Sequence, residues 1–138
     1  MFETVVVAST DPLTGEQAFR RALTLTRAAG GTLHIVCALE EDDDGPPPNL
    51  PEEFRFTAAG ANRAEWRMAQ LRARAESARV RVETHAVLAH AADAIARVAS
   101  DEHADLVVLE TGSDHGTRQL TGVSKALIDH ASCAVLVV

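Results

Sequence analysis

The segment from Gly112 to Ser124 contains residue types that can bind a phosphate group. Its sequence is GSDHGTRQLTGVS, with three glycines and two serines between an apolar run and an apolar-periodic segment. Glycine lets the backbone approach a ligand closely, so that backbone N–H groups can surround a phosphate. A helix is predicted to begin at Gly122, Val123 and Ser124. Helix N-termini attract anions, because their N–H groups are unpaired and carry the positive end of the helix dipole.

The same residue types are also common in ordinary turns, which gives a second interpretation of this segment. Ser124 can satisfy an N–H group in the first turn of its own helix instead of a phosphate. Asp114 and His115 lie within the segment, and a carboxylate repels phosphates unless a cation lies between them. The residues alone therefore leave two hypotheses open: a phosphate-binding loop, or a polar connection between a strand and a helix.

The elements that position this segment follow from the pattern of apolar residues. Short β-branched runs alternate with segments in which apolar residues recur every three or four positions, as in a helix. This alternation predicts a parallel sheet covered by helices on both faces. The predicted strands are Thr4–Ser9, Thr32–Leu39, Val80–Leu88, Asp105–Glu110 and Ala134–Val138, and the predicted helices cover about 11–31, Thr57–Ala78, 91–103 and 123–131.

A doubly wound sheet of this kind binds ligands outside the carboxyl ends of its strands, at the point where the strand order reverses. We assume the strand order 3-2-1-4-5, which places this switch point between the first and fourth strands. The loop after the first strand begins near Asp11, and the loop after the fourth strand is Thr111–Thr121. The glycine-rich segment is therefore predicted to lie at the usual ligand site of such a fold.

Composition excludes some classes of function. A length of 138 residues fits a single domain covering 1–138, and the net charge of -7 argues against general binding to nucleic acid or anionic membranes. The two cysteines, Cys37 and Cys133, lie in separate apolar runs and form no disulfide framework, which indicates a reducing cytoplasm. Together with His34 and His130, they lack a metal-ligand spacing such as Cys-x2-Cys, so no metal site is predicted. His34 and Cys37 are expected to be core residues.

Four stretches of the chain resemble the universal stress protein family. DLVVLETGSDHG is similar to the family's fourth strand and glycine loop, and TGVSKALIDHASCAVLVV is similar to its last helix and strand. VVVASTD resembles the first strand with its acidic turn, and GGTLHIVCAL resembles the second strand. The resemblance covers essentially the whole chain and is weakest from Glu41 to Arg79. It implies a cytoplasmic stress-response module.

The family has members that bind nucleotides and members that bind none. Binding members typically have Gly-x2-Gly-x9-Gly-Ser/Thr in the loop, with a divalent ion beside the phosphates. Here three residues separate Gly112 from Gly116, Thr121 takes the place of the last glycine, and Gly122 takes that of the hydroxyl residue. The resemblance implies ATP or another adenine nucleotide with Mg²⁺ as the ligand, or no cofactor at all. The binding residues that it implies are Asp11, Ala38, Gly112, Gly116, Thr121, Gly122, Val123 and Ser124.

One of these assignments, Asp11, has an alternative, and another, Ala38, rests on the main chain alone. Asp11 is carried over as an adenosine contact, but Pro12 follows it where the family usually has glycine, which favours the alternative that Asp11 is a cap or turn residue. Ala38 is implied to read adenine through its main chain, a role that its side chain does not reveal.

The main alternative function is a dimeric interaction module that binds no nucleotide and acts through an unidentified protein partner. The final strand, 134–138, contains no charge, proline or glycine, and in the assumed order it is an edge that pairs with a second copy. Many family members dimerise through this strand. Hydrolysis of ATP is the least supported function, because no general base or nucleophile is evident in the sequence.

Overall fold

The computed structural model describes residues 2–8, 16–38, 59–110, 112–114, 117–119 and 122–138. No helix within these ranges is long and apolar enough to cross a membrane. The helices are α1 Glu16–Ala29, α2 Ala59–Ser77, α3 Ala91–Asp101 and α4 Gly122–His130. The strands are β1 Thr4–Ala8, β2 Thr32–Ala38, β3 Arg81–Val87, β4 Leu106–Leu109, β5 Gly112–Asp114, β6 Thr117–Gln119 and β7 Ala134–Val137.

Five of these strands form one parallel sheet in the order β3-β2-β1-β4-β7. The predicted order 3-2-1-4-5 is therefore confirmed, with β7 as the fifth strand of the sheet. Val6 in the middle of β1 lies beside His34 of β2 on one side and Val107 of β4 on the other. The chain winds outward from β1 in both directions, which places the switch point between β1 and β4.

Helices cover both faces of the sheet, as predicted. Val5 and Val7 of β1 point to one face and Val6 to the other, because side chains alternate along a strand. All three valines are at most 1% exposed, which explains why β1 is an unbroken apolar run rather than an alternating one. The first face packs against Phe19 and Ala22 of α1 and Met68, Leu71 and Ala75 of α2, and the second against Ile95 and Val98 of α3 and Leu127 of α4.

Hydrogen bonds to backbone groups and two glycines at the end of α1 fix the amino edge of the sheet. The Asp105 carboxylate accepts the backbone N–H groups of Glu3 and Thr4 at 3.1 and 3.0 Å, which fixes the start of β1 against the start of β4. Gly30 ends α1 with a φ of +68°, a conformation that glycine adopts without steric cost. A side chain at Gly31 would collide with the carbonyl of Glu3, so this position also needs glycine.

The segment expected to be a loop, Thr111–Thr121, contains a short hairpin that the sequence analysis did not predict. β5 and β6 pair antiparallel, with Gly112 beside Gln119 and Asp114 beside Thr117. The two strands have only three residues each, too short for apolar periodicity to reveal them. The dipeptide His115-Gly116 is also not one of the pairs, such as Asn-Gly or Asp-Gly, that indicate a two-residue hairpin turn in a sequence.

Candidate functional site

The carboxyl edge of the sheet carries the predicted ligand site. Val7 of β1 lies beside Val108 of β4, so the two strands end next to each other. Ala38 ends β2 on the same edge, beside Val87 of β3. The chain leaves this edge from β1 and β2 toward one face and from β4 toward the other. A cleft at such a divergence is where doubly wound sheets bind ligands.

The start of α4 lies on this same edge. α4 precedes β7, which runs parallel to β4, so α4 must return from the carboxyl edge to the amino edge. Its first residues are Gly122, Val123 and Ser124. The first-turn N–H groups of a helix have no partner within the helix and carry the positive end of its dipole. Leu127, only 2% exposed, anchors α4 in the core, so these groups are held in place relative to the sheet.

The predicted binding residues divide into two groups. Ala38, Gly112 and the first turn of α4 are described, and all lie at the carboxyl edge or in the connection that leaves it. Gly112 opens β5, where it pairs with Gln119. Asp11, Gly116 and Thr121 lie outside the described residues. The role of each of these residues in binding remains a prediction.

Glu110 is a polar residue at this edge that the sequence analysis did not single out. It directly follows β4 and precedes the hairpin. Its Oε2 atom is buried and has no hydrogen-bond partner among the residues that the structure describes. A buried carboxylate oxygen without a partner is costly and needs an explanation, such as a bound ion. The signal in the sequence was a single acidic residue between an apolar strand and a glycine.

A polar cluster around His34 lies away from the carboxyl edge of the sheet. The spacing of its residues along the chain did not indicate that they meet. His34 of β2 is 3% exposed, and its Nδ1 lies 2.9 Å from Nε2 of His85 and 3.4 Å from Oε2 of Glu83. Burial lowers the pKa of His34, and the carboxylates of Glu102 and Glu83 oppose that effect. The prediction that His34 is buried is confirmed, but its partners lie at the edge of the core, where Glu83 is exposed and His85 and Glu102 are partly buried.

The two cysteines are free thiols without the features of a catalytic nucleophile. Burial raises the pKa of Cys37, against the opposing charge of Arg67. Burial also raises the pKa of Cys133, and the Asp105 carboxylate adds to the effect. The thiolate is the reactive form of cysteine, so both environments make these residues less reactive than an ordinary exposed thiol.

Solved structures share this fold along nearly the whole chain. The universal stress protein UspA from Lactobacillus plantarum superposes with a TM-score of 0.82 at 18% identity, covering 99% of this chain and 97% of that one. A universal stress protein in complex with cAMP gives 0.75 at 22% identity, covering 99% and 96%. The universal stress protein from Archaeoglobus fulgidus in complex with dAMP gives 0.73 at 16% identity, covering 99% and 97%.

At the level of sequence, none of the curated proteins matches the chain. The family model of the universal stress proteins, in contrast, matches residues 1–138. That match covers all the strands and helices described above, together with the glycine-containing connection between β4 and α4. The chain therefore belongs to the universal stress protein family.

Proposed function

We propose that the protein binds an adenine nucleotide at the carboxyl edge of the sheet, between β1 and β4. The observation that carries this proposal is the position of α4. Its first turn, Gly122–Ser124, begins at the edge where β1 and β4 end side by side. The positive end of a helix dipole at a switch point suits a phosphate group.

The proposed contacts divide according to the parts of the nucleotide. The first turn of α4 and the glycine connection would hold the phosphates, with Gly112, Gly116 and Thr121 supplying backbone groups. Asp11 and the main chain of Ala38 would contact the adenosine. Two similar structures support the choice of an adenine nucleotide, since one is a complex with cAMP and the other a complex with dAMP.

Glu110 makes a divalent ion part of this proposal. Its Oε2 atom is buried and has no hydrogen-bond partner among the described residues. Glu110 directly follows β4, at the edge where we propose that the phosphates bind. A carboxylate there repels phosphates unless a cation lies between them. Mg²⁺ is usually held by one or two carboxylates together with substrate phosphates, so one orphan carboxylate oxygen fits this ion. When bound, Mg²⁺ would neutralise the phosphate charge.

Calorimetric titration of ATP, AMP and cAMP, each with Mg²⁺ and with EDTA, tests the proposal. We expect one site per chain and weaker binding of ATP in EDTA, because the charge of Glu110 is then uncompensated. An absence of binding by all three nucleotides up to about 1 mM, equivalent to about 4 kcal/mol, would overturn the proposal.

A variant of the helix start tests where the phosphates bind. Gly122→Val adds a branched side chain at the first position of α4 and should abolish nucleotide binding while the circular dichroism spectrum is unchanged. Ile128→Val is the matched control, because it lies farther along α4 and is 48% exposed. If Gly122→Val binds ATP as tightly as the parent, the phosphates bind elsewhere.

The second candidate function is a homodimeric interaction module of the cytoplasm that binds no nucleotide. Its supporting observation is that β7 is an outer strand of the sheet, paired only with β4 among the described strands. β7 contains no charged residue, proline or glycine, the features that normally prevent pairing at a sheet edge. We propose that β7 pairs antiparallel with β7 of a second copy around a two-fold axis.

A further inference from the structure

The polar cluster around His34 combines residues from β2, β3 and the end of α3 on one face of the sheet. His34 lies beside Glu83 in the pairing of β2 with β3, and Val36 lies beside His85. Val36 packs in the core under α3, and side chains two residues apart on a strand share a face. His34, Glu83 and His85 are therefore on the α3 side. Glu102, directly after the last turn of α3, completes the cluster from above the sheet.

The four side chains converge closely enough to share one ion. One ligand atom from each of His34, Glu83, His85 and Glu102 lies within 4.8 Å of all the others. The closest pair, the two imidazole nitrogens, is 2.9 Å apart, and the His34 nitrogen lies 3.4 Å from the Glu83 oxygen. Ligands at about 2.1 Å from a tetrahedral Zn²⁺ are separated by about 3.4 Å. Small side-chain movements therefore suffice to bring these atoms to coordination distances.

The chemistry of the four groups favours a transition metal over Mg²⁺ or Ca²⁺. Two imidazole nitrogens and two carboxylate oxygens match the ligands of Zn²⁺, whereas Mg²⁺ and Ca²⁺ prefer oxygen alone. Two carboxylates also balance the charge of a divalent cation. His34 is almost fully buried, whereas the Glu83 side chain is 58% exposed, so the cluster has a fixed interior and an open side for entry.

From this arrangement we propose that His34, Glu83, His85 and Glu102 form a binding site for a divalent transition-metal ion, with Zn²⁺ as the best match. The site is separate from the nucleotide edge, because Glu102 follows the end of α3 that lies over the amino edge of the sheet. Bound metal would connect the outer strand β3 to β2 and to the end of α3, and would thereby stabilise the fold.

The test is a titration of the chelator-treated full chain with Zn²⁺ against a chromophoric chelator. We expect one Zn²⁺ per chain in the parent. Loss of an outer-shell partner alone costs about 10- to 100-fold in metal affinity, so His85→Gln and Glu102→Gln, which remove ligands, should each cost at least as much. The controls His90→Gln and Glu3→Gln remove the same residue types outside the cluster and should bind like the parent.

Substitution with Co²⁺ gives a second readout, because a four-coordinate site of nitrogen and oxygen ligands produces visible absorption that the His85→Gln variant should lose. Circular dichroism confirms that each variant is folded, and both changed residues, His85 and Glu102, are only partly buried. Three results would overturn the proposal: no stoichiometric Zn²⁺, unchanged affinity in both ligand variants, or displacement of Zn²⁺ by an equal concentration of Mg²⁺.

Discussion

Glu16 joins the two helices that cover the first face of the sheet. Its carboxylate, in the first turn of α1, accepts two hydrogen bonds from the Arg74 guanidinium of α2 at 2.6 and 2.9 Å, and one from Arg20 at 3.1 Å. The Arg74 guanidinium also lies 4.7 Å from the centre of the Phe19 ring. The hydrogen bonds and charge of Arg74, with those of Arg20, lower the pKa of Glu16 from 4.5 to about 2.

We expect Glu16→Gln to lower the free energy of unfolding at pH 7 by about 1 kcal/mol, the upper range for a solvent-screened ion pair. The pKa of Glu16 is lower in the folded state than in the unfolded state. Its contribution is therefore complete above pH 4.5 and is lost as the pH falls toward 2. Urea unfolding of parent and variant at several pH values measures this difference.

Glu76→Gln is the matched control, because Glu76 pairs with Arg72 on the same helix and such pairs contribute only about 0.3–0.5 kcal/mol. A difference between the parent and Glu16→Gln that stays constant from pH 7 to pH 2 would contradict the argument.

At the residue scale, the sequence predicted the core well and the polar contacts poorly. In the predicted helix Thr57–Ala78, the apolar residues Met68, Leu71 and Ala75 recur at helical spacing, and all three are buried. His34 was expected in the core because it lies in an apolar strand, which is correct, but its partners come from β3 and from the end of α3. Contacts between separate elements depend on strand register and helix placement. The spacing of residues along the chain determines neither the strand register nor the placement of the helices.

At the scale of elements, the sequence predicted the five strands of the sheet and the four helices to within a few residues, and the strand order, which was assumed, is confirmed. The hairpin β5–β6 was missed because two three-residue strands have no apolar face to reveal them. For the candidate site, the position at the carboxyl edge followed from the alternation of strands and helices. The contribution of Glu110 did not, because its burial depends on the tertiary structure.

The placement of α4 depends strongly on Leu127. This side chain is 2% exposed and packs in the second core with Ile95 and Val98 of α3, whereas the neighbouring Ile128 is 48% exposed. We expect Leu127→Ala to lower the free energy of unfolding by about 2–4 kcal/mol, because it removes buried methyl groups and leaves a cavity. Ile128→Ala should change it by at most about 0.5 kcal/mol. Equal effects of the two substitutions in urea unfolding would show that α4 is not anchored through Leu127.

At the scale of the whole molecule, the two outer strands of the sheet differ in charge. β3 carries exposed Arg81 and Glu83, and charged side chains on an edge oppose pairing with another sheet. β7 carries no charge. The molecule therefore has one edge protected from association and one suited to it, which is why we propose the dimer on β7.

The proposed dimer can be broken without disturbing the sheet inside one chain. The backbone N–H of Val138 donates to the carbonyl of Leu109 in β4, and N–H directions alternate along a strand, so the N–H of Val137 points away from β4. Val137→Pro removes that outward donor, and proline is tolerated at an outer strand on its solvent side. Val137→Thr, the control, keeps the donor and the branched shape. Light scattering after size exclusion should give a dimer mass for the parent and the threonine variant at tens of micromolar, and a monomer mass for the proline variant.

The melting temperature of the parent should also rise with protein concentration, because association stabilises the folded state, and that dependence should vanish in Val137→Pro. A parent that is monomeric, or a Val137→Pro chain that remains a dimer, would rule out pairing through β7.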